Sequence, residues 1–136
     1  MVTAEEPEFK AAPTLYHLVE EPVWRAAQKA GTLYKPPTYE QDGFVHLTAD
    51  PELLIGVGNH FYKGVKCVFL LLCLDTAKLT AEVRYEVPAA VGDTDAATLT
   101  DKCPHLYGCI DFAAVLQELP VERAEDGTFL GIPGLV

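Results

Sequence analysis

The run Lys66-Cys67-Val68-Phe69-Leu70-Leu71-Leu72-Cys73-Leu74 (KCVFLLLCL) is apolar at every position after the first. A short unbroken apolar stretch of this kind reads as a strand covered on both faces. It is far short of the roughly 18–20 residues that cross a membrane. Immediately upstream, Asp50-Pro51 opens a helix predicted over 51–63, with an N-cap followed by proline at the first helical position. Leu53, Leu54, Val57 and Phe61 form its expected buried stripe and Gly64 stops it. Before it come a strand, FVHLT (44–48), and a proline-rich loop, TLYKPPTYEQDG (32–43). EEPVWRAAQKAG (20–31) has early acids, Pro22, a late lysine and a terminal glycine, the marks of a helix. TLYHLV (14–19) is β-branched and aromatic, a first strand. Downstream, DTAKL (75–79) reads as a turn and EVRYEV (82–87) as a strand with one wet face. Residues 88–103 read as a loop. The Pro and Gly brackets of CPHLYGCI (103–110) place His105 and Tyr107 in a loop too. A helical turn at 111–115, a last strand near 116–123 and an irregular tail, AEDGTFLGIPGLV, complete the chain. Strands and helices mix without regular βαβ alternation, which predicts an α+β fold.

The 136 residues suit one domain, 14–136, behind an acidic, flexible leader at 1–13. Ten Lys and Arg against twenty Asp and Glu give a net charge of −10, which disfavours an extended nucleic-acid surface. An acidic N-terminus and the lack of a long apolar run predict a soluble, cytoplasmic protein with no membrane contact. Cys67 and Cys73, six apart in a strand, lie roughly 20 Å apart, beyond the about 7 Å that a disulfide spans. Neither Cys67/Cys73 nor Cys103/Cys109 has zinc-knuckle spacing, so free thiols are expected.

Three histidine-bearing segments are the candidates for chemistry. His17 sits between Leu15 and Val19 on one face of the first strand, with Tyr16 and Leu18 on the other. A histidine so placed is often a core residue bonded to a backbone carbonyl. On FVHLT, Val45 and Leu47 face the core, while Phe44, His46 and Thr48 share a ligand-contacting face. His105 and Tyr107 form the third segment. His60, off the apolar stripe of its helix, reads as a solvated or cleft-edge residue. Gly56-x-Gly58 lies within a helix and lacks the third glycine of a dinucleotide fingerprint. No GxSxG or P-loop occurs.

LYHLV (15–19), Trp24 with Gly31, Pro36-Pro37, DGFVHLT (42–48), Asn59-x-Phe61-Tyr62, the strand at 67–74, Val83 to Glu86 and PHLYG (104–108) together resemble one family. It is the bacterial and eukaryotic family called domain of unknown function 952, which has no established reaction. The resemblance implies a compact fold with split, mostly antiparallel sheets and two main helices, like that of ADP-ribosyltransferases and RNA 2′-phosphotransferases. It further implies NAD as a cofactor, with His17 at a ribose hydroxyl and His46 and Thr48 beside the nicotinamide. Tyr16, Phe44 and Tyr62 become stacking surfaces. The superfamily's catalytic glutamate has two counterparts here, Glu86 and Glu118, neither in a Gln/Glu-x-Glu context; His105 and Tyr107 stand in its place.

The preferred expectation is a small-molecule site with catalytic His46, His105 and Tyr107, binding an NAD-like nucleotide or another phosphorylated ligand and acting as a transferase. One alternative is a metal-dependent hydrolase or oxygenase using His17, His46 and His105, which are suitable zinc or iron(II) ligands. The other is a non-catalytic binding module with structural histidines. The two enzyme readings rest on the three imidazoles meeting in one hollow.

Overall fold

The structure, a computed structural model, describes residues 12–86 and 103–135. Its elements are β1 (Thr14–Glu20), α1 (Glu21–Ala30), α2 (Tyr39–Asp42), β2 (Val45–His46), α3 (Leu54–Phe61), β3 (Phe69–Asp75), β4 (Glu82–Glu86), β5 (Cys103–Tyr107), β6 (Val115–Pro120), β7 (Glu122–Arg123) and β8 (Phe129–Gly131). They make an α+β fold of two three-stranded sheets, β1-β3-β6 and β2-β5-β4, and a two-stranded hairpin, β7-β8. Every strand pair in them is antiparallel.

Of the apolar run at 66–74, residues 69–74 fall in β3, the centre of the first sheet, and are buried on both faces as the composition predicts. Lys66, Cys67 and Val68 precede the strand, and Val68 is 56% exposed. Alternation sends Leu70, Leu72 and Leu74 into one core and Phe69, Leu71 and Cys73 into another. The first core lies between the two sheets. Leu15 and Val19 of β1 meet Val45 and Leu47 around β2 and Leu106 of β5 there, closed by Trp24 of α1 and by Tyr34. The second covers the opposite face of β1 and β3 with Leu54 of α3 and Phe129 of β8. Each fully buried leucine contributes about 1.5–3 kcal/mol, so a strand shared by two cores anchors both layers.

Four expectations change. The predicted helix at 51–63 begins as a 3-10 turn, Pro51–Leu53, and is α-helical over Leu54–Phe61. Leu54 is buried as expected, with Gly58 beside it. Leu53, on the 3-10 turn, is 58% exposed, and Phe61, the last residue of the helix, is 49% exposed. The strand expected at 44–48 is confined to Val45–His46. His105 and Tyr107, expected in a loop, lie on β5, the central strand of the second sheet. Pro104 fits there because its backbone faces β2, a two-residue strand. Its carbonyl accepts from the Leu47 N–H at 3.1 Å, and only the return donor is lost. The irregular tail contains β8, and its Phe129 is sealed in the second core.

Of the predicted leader, residues 1–11 lie outside the described residues. Ala12 and Pro13 are held: the Ala12 N–H donates to the Tyr85 hydroxyl, and Thr76 donates to both their carbonyls. The predicted loop at 88–103 also lies outside the described residues, apart from Cys103. No disulfide joins cysteines among the described residues. No helix among them is long and apolar enough to cross a membrane.

Candidate functional site

The register of the second sheet sets His46 of β2 opposite His105 of β5, and His105 opposite Arg84 of β4. Alternation puts Val45, Leu106 and Val83 toward the first core. The face pointing away from that core carries His46, Cys103, His105, Tyr107 and the charged residues of β4. Facing this sheet, α2 and the last turn of α3 complete a cavity of about 530 Å³. Its imidazoles are His17, His46 and His105; its rings are Phe44, Phe61 and Tyr62; Asp42, Gln41, Thr38, Thr48 and Cys103 add polar groups. The three imidazoles therefore line one cavity, although they come from three strands.

The rings form a connected run. Phe44 stacks on His105 with centroids 4.0 Å apart and planes 18° apart, and meets His46 edge-on at 4.8 Å. His46 stands edge-on to His105 at 5.4 Å and stacks beside Phe61 at 6.0 Å.

Each histidine has a distinct electrostatic setting. His17 is 3% exposed. Its Nδ1–H donates to the His46 carbonyl at 2.9 Å, and the Tyr34 hydroxyl reaches its Nε2 at 3.4 Å. Burial, only partly offset by the carbonyl, lowers its pKa to about 4, and the imidazole is neutral. The Nε2–H of His46 donates to Asp42 Oδ2 at 3.0 Å. Gly43, in the left-handed region at φ 85°, ends α2 and turns the chain so that Asp42 can reach back to it. Burial lowers the His46 pKa, with Asp42 pulling the other way.

His105 is 4% exposed. Its Nδ1–H donates to Glu86 Oε1 at 2.7 Å, and the Tyr107 hydroxyl donates to the same oxygen at 2.7 Å. These two donors, Tyr107 first, hold the Glu86 carboxyl below its usual range, while the carboxylate pushes the Tyr107 phenol up. The Arg84 guanidinium lies 4.3 Å over the Tyr107 ring. With Nδ1 committed to Glu86, Nε2 is the nitrogen of His105 left to take a proton.

Phe44, His46, Thr48, Tyr62, His105 and His17 thus reach the cavity. Tyr16 does not: it lies on the other face of β1, packed against the second core, which corrects its expected stacking role. Tyr107, expected as a catalytic residue, is also absent from the lining, and its hydroxyl donates to Glu86. Of the two candidate acids, Glu118 of β6 accepts from Trp24 Nε1 at 2.7 Å and pairs with Arg25 at 2.9 Å, away from the cavity. Glu86 is the carboxylate that touches His105. Among the described residues no three His, Cys, Asp or Glu side chains are placed to hold a metal ion together. Each of the three imidazoles has a ring nitrogen turned to a different partner: Nδ1 of His17 to the His46 carbonyl, Nε2 of His46 to Asp42 and Nδ1 of His105 to Glu86.

Asp42, Phe61 and Cys103 were not singled out as site residues from sequence. Asp42 has a local signal, a carboxylate four positions before His46 across a glycine. Phe61 reads as core because its spacing matches the apolar stripe.

The chain belongs to the family described as Protein of unknown function (DUF952), which matches residues 18–118. The crystal structure of protein CC0527 from Caulobacter crescentus is similar at a TM-score of 0.66 and 21% identity, covering 86% of this chain and 93% of that one. The solution structure of CC0527 is similar at a TM-score of 0.62 and 21% identity, covering 90% and 93%. At that identity the likeness is one of fold. No curated protein matches the chain.

Proposed function

We propose that the chain is a small-molecule transferase-type enzyme whose site is the cavity between the second sheet, α2 and α3, with His105 as general base. The carrying observation is the Glu86–His105 pair at 2.7 Å, with His105 lining the cavity. A carboxylate on one imidazole nitrogen fixes the tautomer, leaves a lone pair on the other and stabilises the imidazolium that forms. In this role His105 Nε2 accepts the proton of a ligand hydroxyl, leaving that oxygen as nucleophile. His46, held by Asp42, orients the ligand beside it.

About 530 Å³ falls within the 300–1,000 Å³ usual for small-molecule sites. That volume and the rings of Phe44 and Tyr62 support a nucleoside-sized ligand. The resemblance to ADP-ribosyltransferases adds NAD as the cofactor and an ADP-ribosyl- or phosphotransferase-like reaction, with Thr48 beside the ring and Glu86 as the acid. In that reading the ribose contact expected of His17 passes to His46 or His105, because the nitrogens of His17 already serve the His46 carbonyl and Tyr34.

Calorimetric titration of NAD, ADP-ribose and the corresponding nucleosides against the protein and His105→Ala tests this. The expected result is saturable binding of at least one of them, weakened tenfold or more in the variant. Heats at the dilution level for the whole panel at millimolar concentration would overturn the nucleotide reading.

A further inference from the structure

Charge at the cavity wall selects among ligands. Among the described residues that line it, Asp42 is the acid and none is Lys or Arg. The Asp42 carboxylate is met by a His46 N–H and not by a cation. Of the imidazoles, His17 is neutral and burial disfavours the charged form of His46, while the Nδ1–H of His105 is directed at the Glu86 carboxylate. The Tyr62 phenol is pushed up to about 12, by burial first and then by Asp42 and Glu20. Phe44, Phe61 and Tyr62 line the same cavity as Asp42, and an aromatic ring face attracts cations. The net charge of −10 adds a long-range field of the same sign.

We propose that the ligand is an organic cation, a flat nitrogen heterocycle or quaternary ammonium group, seated against Phe44, Phe61 and Tyr62 with its charge toward Asp42. This rests on the cavity being a ligand site, as argued above, and narrows what enters it. A phosphate has no Lys or Arg partner among the described lining residues, so a phosphorylated ligand would carry its phosphates outside the cavity. An aromatic wall with one carboxylate recognises a positive ring by desolvation, dispersion and charge together.

The test uses three ring compounds of similar size: N-methylpyridinium, 4-methylpyridine held neutral at about pH 8, and benzoate. Each is titrated by calorimetry and followed through the ring protons of His46 and His105 by NMR. The cation is expected to bind at least tenfold tighter than the neutral ring, with no benzoate binding. Asp42→Asn keeps an acceptor for His46 and is expected to erase most of that preference. Phe61→Leu, at a half-exposed position that folding tolerates, is expected to weaken the cation by threefold or more. If the neutral ring or benzoate binds as well as the cation, the charge selectivity is overturned and the cavity reading stands. If none of the three binds or shifts the imidazoles, both are overturned.

Discussion

Replacing His17 with asparagine removes a titrating ring but keeps a side-chain N–H able to reach the His46 carbonyl, now 2.9 Å from Nδ1. The native imidazole is lowered to about 4 by burial, against an ordinary value of 6.5. Between those values the unfolded chain takes up a proton that the native chain refuses, so stability falls as pH falls from about 6.5 to about 4. For one such group the loss is about 2 kcal/mol at pH 5 and about 3 kcal/mol when the window has been crossed. At pH 7 the effect nearly vanishes, and the variant shows only the cost of altered packing against Tyr34. Urea unfolding of both proteins at pH 7, 6, 5 and 4.5 measures the difference directly. His46, lowered in the same direction, is present in both and largely cancels. The stability of the wild type should therefore drop more steeply with acid than that of His17→Asn, by about 2 kcal/mol at pH 5. Parallel curves would refute a neutral, buried His17.

Gly58→Ala sets a helix-propensity gain of about 1 kcal/mol against a Cβ that would lie 2.5 Å from Cδ2 of Phe129. Phe129 is packed against Phe69 and Arg123 and cannot retreat, so a net loss of about 1 kcal/mol or more is expected in thermal unfolding. A higher melting temperature would contradict that packing. In Glu86→Gln the Tyr107 phenol loses its carboxylate acceptor, and its pKa should fall toward the ordinary value in an ultraviolet absorbance titration. The same titration in Glu118→Gln should match the wild type, and a shift there would misplace Glu118. For any ligand that binds the cavity, Glu86→Gln should weaken affinity by fivefold or more and Glu118→Gln by less than twofold.

Much of the frame was legible because β1 is β-branched and aromatic, α1 carries helical start and stop marks, and β3 is an unbroken apolar run. The face division of FVHLT was legible for the same reason, with Val45 and Leu47 inward and Phe44, His46 and Thr48 toward the cavity. β5 was not, because Pro104 and Gly108 carry the local marks of a turn; only the pairing with β4 and β2 makes Cys103–Tyr107 a strand. Phe61 keeps the core spacing of α3 yet lines the cavity, which depends on what packs against the helix end and not on periodicity. The Glu86–His105 pair joins residues 19 apart in sequence, and what brings them together is strand register, a long-range property. A period-2 reading of both Glu82–Glu86 and Cys103–Tyr107 would have put the two side chains on one face. It would not have said that the strands are neighbours.

The paired bonds between Tyr16 and Thr48, each 2.8 Å, run from one sheet to the other beside the cavity. Because Tyr16 of β1 and Thr48, two residues past the end of β2, hold the two halves of this bridge, their amides should exchange with deuterated solvent as a unit whenever the layers part. A molecule gripping both His46 and Tyr62 would slow that breathing, making deuterium uptake at Tyr16 and Thr48 an occupancy gauge that needs no knowledge of any reaction.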